Sequence, residues 1–269
     1  MKLYYRETGE GPALIIIHGL YGSSDNWMSI ARKLSPYFHV YLIDQRNHGH
    51  SPHSDVHDYP SMCEDLAGFI SEKNIVRPVI LGHSMGGKTA MFYATCHPEE
   101  VSALVVVDIS PRTYVIREDS GERFSGHRKI MEAILHLDTG KLTSRQEALK
   151  ALEKDIPSER VRQFLLKNLY RDKDNRFRWR LNISALYHHL SDILKGLEQD
   201  PLVAGKSFTG FPVLFIRGSH STYIQDEDIK LISNIFPYAE TVTIPDAGHW
   251  VHAEQPERFL KAVLSFLLD

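Results

Sequence analysis

Short apolar runs recur along the first third of the chain, with amphipathic spacing filling the intervals. Ala13–Ile17, His39–Ile43, residues 79–81 and Ala103–Val107 are each apolar nearly throughout, the pattern of a strand covered on both faces. Residues 3–7 alternate instead and run into Gly9-Glu10-Gly11-Pro12, a turn signal that predicts a hairpin. Between these runs, Ser24 or Asp25 can cap a helix reaching Leu34, and Leu66, Phe69 and Ile70 fall at helical spacing. Strand and helix alternating in this way predict an α/β fold with a mostly parallel, doubly wound sheet.

The pattern then changes. From 113 to 206 no buried strand is visible, and amphipathic helices are predicted over 128–137, 144–154, 158–170 and 183–198. Strand patterns resume at 212–216 and 241–244, and a helix over Pro256–Leu268 closes the chain. The expectation is a core made of 1–112 and 207–269, with 113–206 inserted as a helical lid. An insertion leaving the carboxyl end of a strand lies over the ligand-binding edge of an open sheet.

A length of 269 residues suits one large domain, or one domain with an insertion. Net charge is only −3, which gives no reason to expect a nucleic-acid or membrane partner. The charge is unevenly spread: 112–207 holds 19 Lys and Arg against 14 Asp and Glu, so the acidic excess lies in the remainder. Cys63 and Cys96 sit in helix-like segments without metal or disulfide spacing, and no run has the length of a signal or a membrane span. A reducing, cytoplasmic setting is the expectation.

The chemistry concentrates at Gly82-His83-Ser84-Met85-Gly86, which joins the run 78–81 to a helix-like segment, 87–94. Strand, G-x-S-x-G, helix is the sequence form of a nucleophile elbow. A sharp turn forces the serine into a conformation that a Cβ normally disfavours, and it brings strand and helix so close that the flanking positions must lack bulk. The hydroxyl is then raised at the positive end of a helix.

A serine needs a base, and the order for such an elbow is serine, acid, histidine. His249, in Ala247-Gly248-His249-Trp250, is the candidate base; His252 follows closely and is the lesser alternative. The acid is less obvious. Where Gly-x-x-Asp is common after the strand 212–216, this chain reads Gly218-Ser219-His220-Ser221. Asp226 and Asp228 come later and look like helix N-terminal residues. Asp108 ends an apolar strand at its carboxyl end, where a carboxylate needs a partner. Asp108 is preferred, with Asp226 as the alternative. The expected oxyanion donors are the amides of Met85, after the serine, and Leu20, in the loop following Ile17.

Segments 18–27, 44–51, 82–87 and 108–111, with Gly248-His249-Trp250, together resemble the α/β-hydrolase superfamily and, more narrowly, its YbfF-like esterase branch. Residues 177–182 resemble part of that branch's lid, and His50 departs from a common arginine. The resemblance implies hydrolysis of a small-molecule carboxylic ester or thioester without a cofactor, and an acid placed after the earlier strand. A C–C bond hydrolase or an aminopeptidase could use the same groups, and a non-catalytic receptor could keep the pocket.

Two further clusters carry competing readings. His48, His50, His53 and His57 suggest a metal, but no carboxylate completes a familiar ligand spacing, so none is expected. Arg176, Arg178 and Arg180 would share one side of an extended segment. They are either a solvated face or a stripe recognising an anionic substrate such as a coenzyme A thioester.

Overall fold

The computed structural model describes residues 1–115 and 125–268. Residues 116–124, part of the expected insertion, lie outside the described residues. In chain order the strands are β1 (Tyr5–Thr8), β2 (Ala13–Ile17), β3 (His39–Ile43), β4 (Val79–His83), β5 (Ala103–Val107), β6 (Leu169–Arg171), β7 (Phe177–Trp179), β8 (Val213–Gly218) and β9 (Glu240–Ile244). The helices are α1 (Met28–Leu34), α2 (Tyr59–Glu72), α3 (Met85–Cys96), α4 (Ser125–His136), α5 (Arg145–Ala151), α6 (Glu159–Leu166), α7 (Ile183–His188), α8 (Leu190–Leu194), α9 (Asp228–Ile235), α10 (Val251–Glu254) and α11 (Pro256–Leu268).

Seven strands form one sheet in the order β1-β3-β2-β4-β5-β8-β9. All pairings are parallel except that of β1 with β3. The apolar runs explain the layering, because alternate residues of each strand serve opposite cores. Ile15, Ile17, Ile80, Leu104, Val106 and Phe215 belong to one core, shared with residues of α2, α3 and the segment between β5 and β8. Leu14, Ile16, Leu81, Val105, Val107 and Leu214 belong to the other, with Trp27, Ile30 and Leu34 near α1 and Phe259 and Val263 of α11. Strand order reverses between β2 and β4, so the crevice at their carboxyl ends is the place for a ligand.

Two expectations need correction. β1 does not form a hairpin with β2; it pairs antiparallel with β3, Tyr5 opposite Ile43 and Thr8 opposite Val40. β2 already has β3 and β4 as parallel neighbours. A Cβ on Gly9, at φ +82°, would lie 2.4 Å from the Phe38 carbonyl oxygen and 2.5 Å from that of Ser35, so only glycine lets the turn pass this close to the start of β3. The segment between β5 and β8 is also not wholly helical. β6 and β7 form a two-stranded antiparallel hairpin, Leu169 opposite Trp179, so the helix expected over 158–170 ends at Leu166. Asn168 terminates it, its side-chain amide donating to the carbonyls of Tyr21 at 2.8 Å and Leu165 at 3.2 Å. The helix expected over 183–198 divides at His189, which ends α7 and begins α8. Among the described residues no helix is long and apolar enough to cross a membrane.

Candidate active site

Ser84 stands between β4 and α3 with φ 53° and ψ −122°, a conformation costly for a residue with a Cβ. Its neighbours make the turn possible. A Cβ on Gly82 would lie 2.2 Å from the carbonyl oxygen of Gly86, and one on Gly86 would lie 2.4 Å from that of Ile17. The first turn of α3 therefore rests directly on the end of β2. Met85 is the first residue of α3, so its N–H has no partner within the helix.

Across the crevice, the loop after β2 is held by two histidines acting as hydrogen-bond acceptors. His18 Nε2 accepts from the amide of Gln45 at 3.0 Å, and His48 Nε2 accepts from the amide of Tyr21 at 3.2 Å. Burial pushes both imidazoles below their ordinary range, which keeps them neutral and able to accept. Leu20 lies between these anchored residues and lines the same cavity as Ser84.

Asp108, at φ 52° just past β5, is fully buried. Its Oδ1 accepts from the amide of Gly218 at 3.1 Å. Its Oδ2 accepts from the Ser221 hydroxyl and lies 2.7 Å from Nδ1 of His249. Asp226, the alternative acid, is 86% exposed and pairs with Arg217 at 2.7 Å. His252, the alternative base, is packed flat on Trp27 with ring centroids 3.9 Å apart; burial lowers it to about 3. The imidazole of His249 lies between His83, whose Nε2 donates to the His249 carbonyl at 2.9 Å, and the ring of Tyr223, stacked at 3.9 Å and 19°.

Ser84 and His249 open onto one cavity of about 420 Å³. Its walls are largely apolar: Leu20 and Tyr21 from the loop after β2, Ile130 of α4, Val161 and Phe164 of α6, and Trp250. The segment between β5 and β8 thus supplies part of the enclosure. Arg160 of α6 is at the rim, bound to Glu254 at 2.8 Å with its guanidinium over the Trp250 ring.

The arginine stripe is elsewhere, away from the cavity that Ser84 and His249 line. The hairpin carries Arg176 and Arg178 on an exposed face, where Arg178 pairs with Asp172 at 3.0 Å. Arg180 stacks on Tyr170 and donates to the His50 ring at 2.8 Å. None of the three lines the cavity. The four histidines of 48–57 do not converge either. His48 and His57 are buried structural groups, while His50 and His53 contact Arg180. Among the described residues no three His, Cys, Asp or Glu side chains are placed to hold a metal ion.

Ser221, Tyr223 and Arg160 were not among the expected site residues. Ser221 had a signal: it occupies the fourth place of the Gly-x-x-Asp turn, where the missing carboxylate marked a position still directed at the site. Tyr223 and Arg160 had none, since their roles arise only from long-range packing.

Residues 12–256 match the family model described as alpha/beta hydrolase fold. The mouse protein named sn-1-specific diacylglycerol lipase ABHD11 is 39% identical over 260 residues, covering 95% of this chain and 81% of its own length. Esterase YbfF of Escherichia coli is 33% identical over 256 residues, covering 95% and 93%. A solved structure described as a marine microorganism esterase has a TM-score of 0.92 and 45% identity, covering 99% of each chain.

Proposed function

Because the chain belongs to the alpha/beta hydrolase fold family, we propose that it cleaves carboxylic esters through an acyl-enzyme formed on Ser84. Its relatives place it among esterase- and lipase-type hydrolases; the mechanism and the substrate range are the finer reading. The observation that carries it is the 2.7 Å contact of His249 Nδ1 with buried Asp108, beside a serine held at φ 53° on the same cavity. With Nδ1 committed to the carboxylate, Nε2 is the nitrogen left to take the Ser84 proton. As that proton moves, Oγ bonds to the acyl carbon, and the amides of Leu20 and Met85 receive the oxyanion. The protonated histidine then gives its proton to the departing alkoxide or thiolate, and water repeats the sequence to free the acid.

Residues 113–206 act as the lid in this reading, and their apolar wall favours an acyl chain in the cavity. The rim cation Arg160 is already neutralised by Glu254, which favours uncharged esters over anionic thioesters.

The test compares Asp108→Asn with Asp226→Asn on a panel of p-nitrophenyl esters, acyl-coenzyme A, aminoacyl amides and a C–C bond substrate. The first substitution is expected to cost about 10³–10⁴-fold in kcat on esters, and the second less than about threefold. Near-full turnover by Asp108→Asn overturns the acid assignment. Preference for amides or the C–C substrate, or no turnover of any of them, overturns the esterase reading.

A further inference from the structure

The stacked ring of Tyr223 is more firmly held than a cavity wall requires. Its amide donates to the Ser221 hydroxyl at 3.3 Å, its carbonyl accepts from the Tyr114 hydroxyl at 2.6 Å, and its own hydroxyl lies 3.3 Å from Nε2 of His127 on α4. Tyr114 is fixed in turn, accepting the amide of Ser110 at 2.8 Å. These contacts bring one aromatic face to 3.9 Å from the His249 imidazole, nearly parallel to it.

We propose that Tyr223 is a positioning residue for His249, holding the imidazole directed at both Asp108 and Ser84 and stabilising the imidazolium that forms when Ser84 gives up its proton. The inference rests on the esterase reading above. The face of a tyrosine ring carries negative charge density, so a cation stacked on it is attracted and a neutral imidazole much less so. The benefit therefore appears as the proton arrives, which is the condition for lowering a barrier rather than tightening a ground state.

Asp108 stabilises the imidazolium as well, in the ring plane through Nδ1; the remaining neighbours of His249 do not. His83, His127 and His252 are all lowered by burial, His127 to about 4 and His252 to about 3, so they stay uncharged near neutrality. Glu254 reaches the adjoining Gly248 amide, but it is paired with Arg160.

The experiment measures kcat/KM on a neutral p-nitrophenyl ester against pH for the wild type, Tyr223→Phe and Tyr223→Leu. Losing the ring is expected to move the acid limb of Tyr223→Leu down by about 0.5–1 pH unit and to lower its plateau about tenfold. Tyr223→Phe keeps the ring face, and its limb is expected within about 0.2 unit of the wild type. A Tyr223→Leu plateau that falls with the limb unmoved means packing alone and overturns the proposal. So does a Tyr223→Phe limb that moves as far as that of Tyr223→Leu. Should Tyr223→Leu not fold, the wild type decides by NMR. The His249 ring protons are expected upfield from the stacked ring current, and ordinary shifts overturn the proposal. Labelling of wild-type Ser84 by a fluorophosphonate separates the two levels: a label with an unmoved limb removes only the Tyr223 role, whereas no label removes the esterase reading beneath it.

Discussion

Gly86→Ala is the substitution whose consequence follows most directly from the geometry. The added methyl carbon would lie 2.4 Å from the Ile17 carbonyl oxygen and 2.5 Å from that of His18. Both contacts are with backbone, so no side chain can rotate away. Restoring ordinary van der Waals distance requires β2 and the start of α3 to separate by roughly 1 Å. Those two elements carry the proposed oxyanion donors, Leu20 just after β2 and Met85 at the head of α3. A displacement of about 1 Å at a reacting centre costs on the order of 10²-fold in rate, and the strain in the core costs about 1–3 kcal/mol of stability. The assay is kcat on a p-nitrophenyl ester with thermal melting on the same samples, and Gly68→Ala as control. Gly68 lies on the exposed side of α2 with nothing within 4 Å of an added Cβ. It is expected to keep full activity and gain about 1 kcal/mol from helix propensity. Gly86→Ala activity within about threefold of wild type would refute the reasoning, because it would mean the close approach of helix and strand does not set the donor geometry.

Ser221→Ala removes a donor to the Asp108 carboxylate; about a tenfold fall in kcat with KM unchanged is expected from steady-state kinetics, and an unchanged kcat would show that Gly218 and His249 suffice. Stability should fall steeply in mild acid. Burial holds His57 and His252 near 3 and His127 near 4, below the roughly 6.5 of an unfolded chain. The unfolded state therefore binds more protons between those values, and at pH 5 each imidazole costs about 2 kcal/mol. The urea midpoint is expected to drop markedly from pH 7 to pH 5 and to drop less in His57→Gln; equal midpoints at the two pH values would contradict the neutral buried state. Replacing Arg176, Arg178 and Arg180 together by alanine is expected to leave kcat/KM on acyl-coenzyme A and on neutral esters within about threefold, as befits surface positions. A selective loss with acyl-coenzyme A would restore the anion-recognition role.

The parts of this protein legible in its sequence are those enforced over a few residues. The sharp turn at Ser84 must be written with small residues on either side, so it was visible, and the apolar runs marked β2, β3, β4 and β5 closely. Asp108 was readable because a carboxylate ending an apolar strand needs a partner, although its contact with His249 spans 141 residues. What stayed hidden depends on pairing across distance. The turn at Gly9–Gly11 has hairpin composition, yet β1 crosses to β3, a choice made by the neighbours of β2. β6 is too brief to show a period of its own, and Leu169 and Tyr170 fit the end of a helix equally well. The alternation of Arg176, Arg178 and Arg180 was visible, but local alternation cannot tell which side of a segment faces the cavity. Arg160, the guanidinium at the rim, lies on α6 with no local signature to distinguish it.

The most direct test of the account is to treat the active enzyme with a fluorophosphonate, map the adduct by peptide mass spectrometry, and repeat the reaction with His249→Ala and Asp108→Asn. One phosphonyl group per chain, on Ser84, forming far more slowly in both variants, is the predicted result. An adduct on another residue, or an enzyme that turns over esters while Ser84 remains unmodified, would contradict it.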